Sequence, residues 1–334
     1  MKTTTGIENR MIGKSSAACL LALWMGLPVQ VLAGNGSGTT GAEFLKIGVG
    51  ARALAMGGAF AAVADDAHAV YWNPAAAVQI EGPRLDASYN NLYQDANQGF
   101  VGYSHPVNKH VWSGALDYLQ ISSIERRLTD TAKPDYTFTS RDSAFILSYA
   151  QRDVLPNLAL GVNLKYIQSY LDSASAQAYA ADLGAFYRVG DGPLSLGASM
   201  VNMGTDLTYV NAHEPLPLGF KLGAAYRLMD NKLLLALGMD SWIRSARQFG
   251  NIGAEYKPVD LVALRVGYQL GHGQDQLGSN TVGIGAGIGL QFKGFNLDYA
   301  YLPYGDLGNT QRFSLGFQFG ASERSDKHPI LQKN

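Results

Sequence analysis

Between residues 84 and 319 the chain alternates apolar and polar positions, in stretches of roughly ten residues parted by turn-forming residues. The last stretch is the clearest. In Arg312-Phe313-Ser314-Leu315-Gly316-Phe317-Gln318-Phe319 the odd positions are large and apolar, and the even ones are Arg, Ser, Gly and Gln. Successive strand side chains point to opposite faces, so this segment carries one greasy and one polar face. Before it, Phe295, Leu297, Tyr299 and Tyr301 oppose Asn296, Asp298 and Ala300. Earlier still, Ile284, Ala286, Ile288 and Leu290 alternate with Gly283, Gly285, Gly287 and Gly289, a comb that leaves room for something to lie against that wall. The alternation extends back through Phe220, Leu222 and Tyr226, through Leu160, Val162 and Leu164, to Leu85, Ala87 and Tyr89. It predicts about fourteen strands, most of the ~9–11 residues that a tilted membrane strand needs.

The connectors alternate in length. Short ones fall at 106–109, 154–157, 190–193, 229–231, 258–260 and 293–294, and mostly longer polar ones between them at 122–140, 171–176, 205–217 and 271–279. Short turns at one end and long loops at the other describe a bacterial outer-membrane barrel, whose even strand number returns the chain to its starting side. A secreted sandwich or soluble barrel also alternates. Two features favour the membrane. Aromatics gather near segment ends, among them Tyr118, Tyr149, Tyr166, Tyr187, Trp242, Tyr268 and Tyr301, as interfacial girdles do. The array is also richer in Gly and Ala than a soluble core of this size requires. The polar face is then a lumen, which places Lys165, Asp182, Arg188, Lys221, Arg227, Glu255, Arg265, Asp298 and Arg312 inside. Both signs are present, so these charges are expected to pair rather than line a wide path of one sign.

A segment of different composition precedes the array. Residues 41–78 are dense in Gly and Ala, carry few charges, and include Asp65-Asp66 and Asn73-Pro74-Ala75. Ahead of it, residues 1–33 read as a secretory signal: Arg10 and Lys14 give a basic region, 17–31 is largely apolar, and Val31-Leu32-Ala33 offers small residues for cleavage. The alternative is an N-terminal membrane anchor, but the apolar run is short for a span and is interrupted by Pro28 and Gln30. Cleavage after Ala33 removes Cys19, the one cysteine, and leaves 23 basic against 26 acidic residues. A cysteine-free exported chain has no disulfides to hold it, and its charge gives no reason to expect nucleic acid. Residues 321–334 form a polar tail expected in the periplasm.

Candidate chemistry is sparse. Gly48-Val49-Gly50-Ala51-Arg52-Ala53 fits a dinucleotide fingerprint, but that motif needs a βαβ unit and the alternating array follows instead. The histidines at 68, 105, 110, 213, 272 and 328 show no metal-ligand spacing. No cofactor or metal is expected. Asp65-Asp66 admits two roles: a cap at the start of 67–72, or a carboxylate pair meeting lumen arginines. Asn73 suits a local turn, and Pro74 closes the helical stretch before it.

Gly50-Ala51-Arg52-Ala53, Met56-Gly57-Gly58-Ala59-Phe60, Ala64-Asp65-Asp66-Ala67 and Tyr71-Trp72-Asn73-Pro74-Ala75 together resemble the opening signature of the PorV/PorQ family, which is related to FadL-type outer-membrane transporters of hydrophobic compounds. The stretch 299–319 resembles the last hairpin of these barrels. The resemblance implies an all-β fold, a transmembrane antiparallel β-barrel of about 14 strands with an N-terminal luminal hatch or plug. Its parts are a signal peptide at 1–33, a hatch at 34–80, a barrel at 81–320 and the tail at 321–334. Gly50, Arg52, Gly57, Gly58, Asp65, Asp66, Asn73 and Pro74 are the candidates for holding or moving the hatch. The implied function is a non-catalytic channel or secretion-associated barrel in the bacterial outer membrane. Passive transport of long-chain fatty acids or other hydrophobic compounds is the alternative, and a rim-located hydrolase a further one. The expected partners are outer-membrane lipid and lipopolysaccharide, the barrel-assembly machinery through the terminal strand 313–319, and hydrophobic small molecules or secretion-system proteins.

Overall fold

The protein is described from a computed structural model covering residues 40–93, 95–209, 212–272 and 278–320. The expected signal peptide and terminal tail lie outside the described residues. Sixteen strands are seen among those residues: β1 (Arg84–Asn91), β2 (Ala96–Val107), β3 (His110–Arg126), β4 (Tyr136–Leu155), β5 (Leu158–Leu171), β6 (Ala174–Arg188), β7 (Leu194–Gly204), β8 (Leu207–Tyr209), β9 (Ala212–Glu214), β10 (Gly219–Leu228), β11 (Leu233–Trp242), β12 (Arg247–Val259), β13 (Val262–Leu270), β14 (Ile284–Phe292), β15 (Phe295–Pro303) and β16 (Asn309–Gln318). Fourteen of them form one closed antiparallel barrel; β8 and β9 make a separate small hairpin in the connection between β7 and β10. The barrel closes where β1 pairs with β16, from Arg84 opposite Gln318 to Asn91 opposite Gln311. Closure leaves no strand edge, so every wall strand has a partner on both sides without help from water.

The burial pattern is inverted relative to a soluble protein. On β16, Phe313 and Leu315 are 46% and 56% exposed, while Arg312 and Ser314 are 2% and 5% exposed. Leu264 and Val266 on β13, and Ile288 and Leu290 on β14, likewise face out. Such an exterior is stable against acyl chains, where polar side chains would be the costly ones.

The connectors depart from expectation in two places. The stretch 171–176 is not a long loop: β5 runs to Leu171 and β6 starts at Ala174, so Asp172 and Ser173 make a tight turn. The Ala and Ser residues there pair through their backbones but contribute little apolar signal, which hides the strand from a hydrophobic pattern. The expected loop 122–140 shrinks as well. Ile124, Glu125 and Arg126 pair with Phe138, Thr137 and Tyr136 after a register shift at Ile121/Ile124. Short turns at 156–157 and 293–294 lie at the end where β1 begins and β16 finishes, and the opposite end carries the longer connections.

The N-terminal segment lies inside this cylinder. It contains a 3-10 turn at Glu43–Lys46, helix α1 (Ala51–Ala55), helix α2 (Ala69–Trp72) and a second 3-10 stretch at Pro74–Gln79. Pro74 therefore opens a further helical stretch, with its fixed φ and missing N–H at the first position. The segment starts at the long-loop end, where Gly41 N donates to Pro215 O at 3.0 Å. It finishes at the short-turn end, where Arg152 donates to Val78 O.

Glycines on the inner wall set how closely it packs. A Cβ built on Gly161 would lie 2.5 Å from Ala75 N, and one on Gly223 2.9 Å from Ala62 N. One on Gly253 would lie 2.5 Å from Met56 O, and one on Gly285 2.5 Å from Leu54 O. On Gly267 it would overlap Gly57 N and Met56 C. These positions form a belt in register. Gly161 faces Gly184, Gly197 faces Gly223, and Gly223 faces Gly238. Gly253 then faces Gly267, and Gly267 faces Gly285. Gly57 answers from the segment: its φ of 63° favours glycine, and a Cβ there would lie 2.6 Å from Tyr268 N.

Gly267→Ala is expected to destabilise the folded barrel by about 1–3 kcal/mol, because neither backbone can retreat. Gly250→Ala, whose added Cβ would sit 3.5 Å from Leu270, is expected to be close to neutral. The midpoints of denaturant unfolding in the same detergent measure the difference.

Candidate functional site in the lumen

An irregular segment inside a barrel carries many backbone groups without helical or sheet partners, and each is costly if left unpaired. The inward polar side chains of the wall supply the partners. Ser314 Oγ accepts from Ala51 N at 2.8 Å, and Asp86 Oδ2 accepts from Ala67 N at 2.9 Å. Asn163 Nδ2 donates to Val70 O at 2.7 Å, Ser199 Oγ to Trp72 O at 3.0 Å, and Ser195 Oγ to Ala62 O at 3.1 Å. Asn73 works from the segment's side. Fully buried, it donates to Ala61 O at 2.9 Å and to Ala185 O on the wall at 3.0 Å, and its Oδ1 accepts from Ala75 N at 3.1 Å. Asn73 thus joins two parts of the segment to β6, and Pro74 beside it packs against Gly161 and Gly184.

Charge fastens the other flank. Arg52, on α1, reaches Glu255 of β12 with two bonds, Nε to Oε2 at 2.7 Å and Nη2 to Oε1 at 3.0 Å. Its third nitrogen donates to Asp65. Glu255 Oε2 also accepts from Arg265 Nε at 2.6 Å, and Arg265 Nη1 donates to Asp298 Oδ1 at 2.6 Å. Sequence pointed to acids of the segment meeting arginines of the wall. The observed link has the reverse polarity: an arginine of the segment meets a wall glutamate, and Asp65 meets that same arginine. Asp66 Oδ1 accepts from His68 N at 3.0 Å and lies 3.2 Å from His68 Nδ1. The N-cap residue of α2 itself is His68, which makes no side-chain cap bond. Gly50, with φ of 85°, precedes α1 and packs against the His68 ring, and Gly58 follows Gly57 where the chain turns along the wall.

The remaining lumen charges fall into separate groups. Lys165 pairs with Asp182 at 2.8 Å, and Asp182 also receives Asn163 and Asn202 N, both at 2.7 Å. Lys221 lies 3.7 Å from Asp240 and 4.7 to 5.1 Å from the rings of Tyr71, Trp72 and Trp242, a cation held by three aromatic faces. Arg227 donates to Gln79 at 3.0 Å. Arg188 is half-buried at the end of β6, and Arg312 is buried on β16. Sequence reasoning did not single out Asp240, Gln79, Asn163 or Asp86. Their signal was available for the wall residues, which share the inward parity of the named charges, but parity says nothing about which segment atom each one meets.

Two cavities flank the segment. At the short-turn end a cleft of about 200 Å³ is lined by Arg52, Asp65, Gln79, Arg84 and Arg265. At the long-loop end a chamber of about 800 Å³ is lined by Phe44, Gly57, Gly58, Tyr71, Trp72, Trp242 and Tyr304, among others. Residues of 41–80 thus line both chambers from opposite sides. Among the described residues no group of His, Cys, Asp and Glu has the geometry to hold a metal ion.

The profile of the family described as Type IX secretion system protein PorV matches residues 33–241. The chain belongs to the PorV family. This PorV-family chain is an outer-membrane β-barrel. No curated protein matches it. Among solved structures, it is similar in fold to the toluene transporter TbuX of Ralstonia pickettii, at 14% identity and a TM-score of 0.58, over 81% of this chain and 98% of that one. It is similar to the toluene transporter TodX of P. putida at 13% identity and a TM-score of 0.60, over 81% and 99%. At such identities the likeness is one of architecture.

Removing one partner from a buried ion pair leaves the other uncompensated, so Arg52→Ala is expected to cost about 3 kcal/mol or more. Arg52→Ala combined with Glu255→Gln is expected to cost less than the sum of the two single changes, because both single changes already lose the same Arg52–Glu255 contact. Denaturant unfolding of the four proteins gives the coupling.

Proposed function

We propose that this protein is a non-catalytic conduit of the outer membrane whose N-terminal segment, about residues 34–80, acts as a hatch within the barrel of residues 81–320. The supporting observation is the pair of cavities on opposite sides of the segment, since any passage between them requires it to move. The hatch residues Gly50, Arg52, Gly57, Gly58, Asp65, Asp66, Asn73 and Pro74 would divide the work. Arg52 and Asp65 are the releasable, ionic side, open to the small cleft. Asn73 and Pro74 are the anchored side, where backbone meets Gly161 and Gly184, and Gly57 packs against the wall beside the ionic tie. Among the other lumen charges, Lys165 with Asp182, Lys221 with Asp240, and Arg265 with Glu255 and Asp298 are paired within the wall.

Family membership favours a secretion-associated role, with components of a secretion apparatus as partners. The aromatic lining of the large chamber favours a second reading, passive movement of hydrophobic compounds, in keeping with the transport of toluene by TbuX and TodX. Both need the same gate. The terminal strand at 313–319, apolar on its outer face, suits recognition by the barrel-assembly machinery, and the exposed aromatics suit outer-membrane lipid and lipopolysaccharide.

Planar-bilayer recordings of Arg52→Ala test the gate, because that change releases the ionic tie to Glu255 and Asp65 without adding bulk to the wall. In mild urea the variant is expected to open to a larger conductance than the unaltered protein. Equal conductance of the two folded proteins would contradict a moving hatch.

A further inference from the structure

Among the described residues most charges on the inner wall have an opposite charge beside them, but Arg312 does not. It is 2% exposed, makes no ion pair among the described residues, and its Nε and Nη1 have no hydrogen-bond partner there. Tyr304, a hydroxyl, is its hydrogen-bonding neighbour. Asn90, which faces Arg312 across the β1–β16 pairing, also has an unpartnered Oδ1. That oxygen is a neutral acceptor. It could take one N–H and would leave the charge uncompensated. A buried guanidinium without a counter-charge is costly, and its planar fork matches a carboxylate.

Arg312 lines the large chamber at the long-loop end. Next to it the chamber has an arc of rings. Phe249 and His272 have centroids 5.3 Å apart, His272 and Tyr304 6.1 Å, and Tyr304 and Tyr93 6.4 Å. These spacings are those of edge-on and offset aromatic contacts, and a further ring fits such an arc. The chamber, about 800 Å³, is within the range of sites for small organic molecules.

We propose that this chamber binds an aromatic carboxylate, with the carboxylate on the Arg312 guanidinium and the ring against the Phe249–His272–Tyr304–Tyr93 arc. The anion supplies the counter-charge that Arg312 lacks among the described residues, and a small turn of the guanidinium brings its unpaired nitrogens to the ligand. This deepens the conduit reading by naming a ligand for its outer chamber. Binding does not require the hatch to move, so failure here and failure of the conductance experiment are distinguishable.

The test is calorimetric titration of the full-length mature barrel in detergent with 1-naphthoate at neutral pH. Binding is expected with a Kd below about 1 mM. The uncharged 1-naphthamide is expected to bind at least about tenfold more weakly, as the loss of a charged hydrogen-bond pair requires. Decanoate, with the same charge and no ring, is also expected to bind more weakly than 1-naphthoate. Arg312→Gln is expected to weaken 1-naphthoate by about tenfold and leave 1-naphthamide unchanged. Absence of binding overturns the proposal. So does equal affinity for acid and amide, decanoate binding as tightly as 1-naphthoate, or undiminished affinity in a folded Arg312→Gln barrel. Should that variant fail to fold, the three ligands on the unaltered protein still decide the matter.

Discussion

The structure depends on how closely two backbones can approach. The N-terminal segment sits against the inner wall at distances that allow no Cβ, and the wall supplies glycine at those places on consecutive strands. The belt is interrupted where Gly184 faces Ser199 and Gly238 faces Asn251. Ser199 and Asn251 reach instead for Trp72 O and Gly58 O. The wall therefore offers either open space for the segment's backbone or a hydrogen-bonding group for it. Larger apolar residues at these inward positions would keep the barrel closed but expel the segment.

From this follows the division of the wall's two faces. Outside, Leu, Ile, Phe and Tyr meet lipid. Inside, the polar side chains stand in for water and satisfy the unpaired backbone of 41–80. The arrangement combines a tight, short-range fit with a single multidentate ionic tie, Arg52 to Glu255 and Asp65. Fit and charge respond to different conditions. A hatch held by both can lose its ionic tie, next to the small cleft, while the glycine-packed contacts at Gly161 and Gly184 keep their register. The large chamber on the other side is bounded by the segment's own Phe44, Tyr71 and Trp72, so motion of the segment alters that chamber directly.

The wall was legible in the sequence because period-two alternation survives wherever large apolar residues face lipid. Phe313 and Leu315, or Ile288 and Leu290, declare their face without any structure. Where strands continue on small or polar residues, the signal fades: the turn at Asp172-Ser173 and the extension of β3 to Arg126 were hidden for that reason. The inward charges were legible too, since Lys165, Lys221, Glu255 and Arg312 share the parity of the polar face. Their partners were not. Arg52 and Glu255 are separated by 203 positions, and parity fixes a face but not a depth. The glycine comb at 283–289 suggested a surface for packing, and Gly285 does meet Leu54 O and Gly287 the Ala55 side chain. Its extension through Gly161, Gly197, Gly223, Gly253 and Gly267 became visible only with the strands in register.

The central claim is that residues 49–64 are packed against the wall as firmly as the wall strands are packed against one another. Amide hydrogen exchange of the barrel in lipid nanodiscs tests it most directly. The account predicts slow exchange for amides such as Leu54, Gly58 and Ala64, which donate inside the segment to Gly50, Ala53 and Phe60, with protection approaching that of β13 and β14. Exchange of these amides at the rate of the exposed loop at 127–135, in a barrel whose strands remain protected, would contradict it.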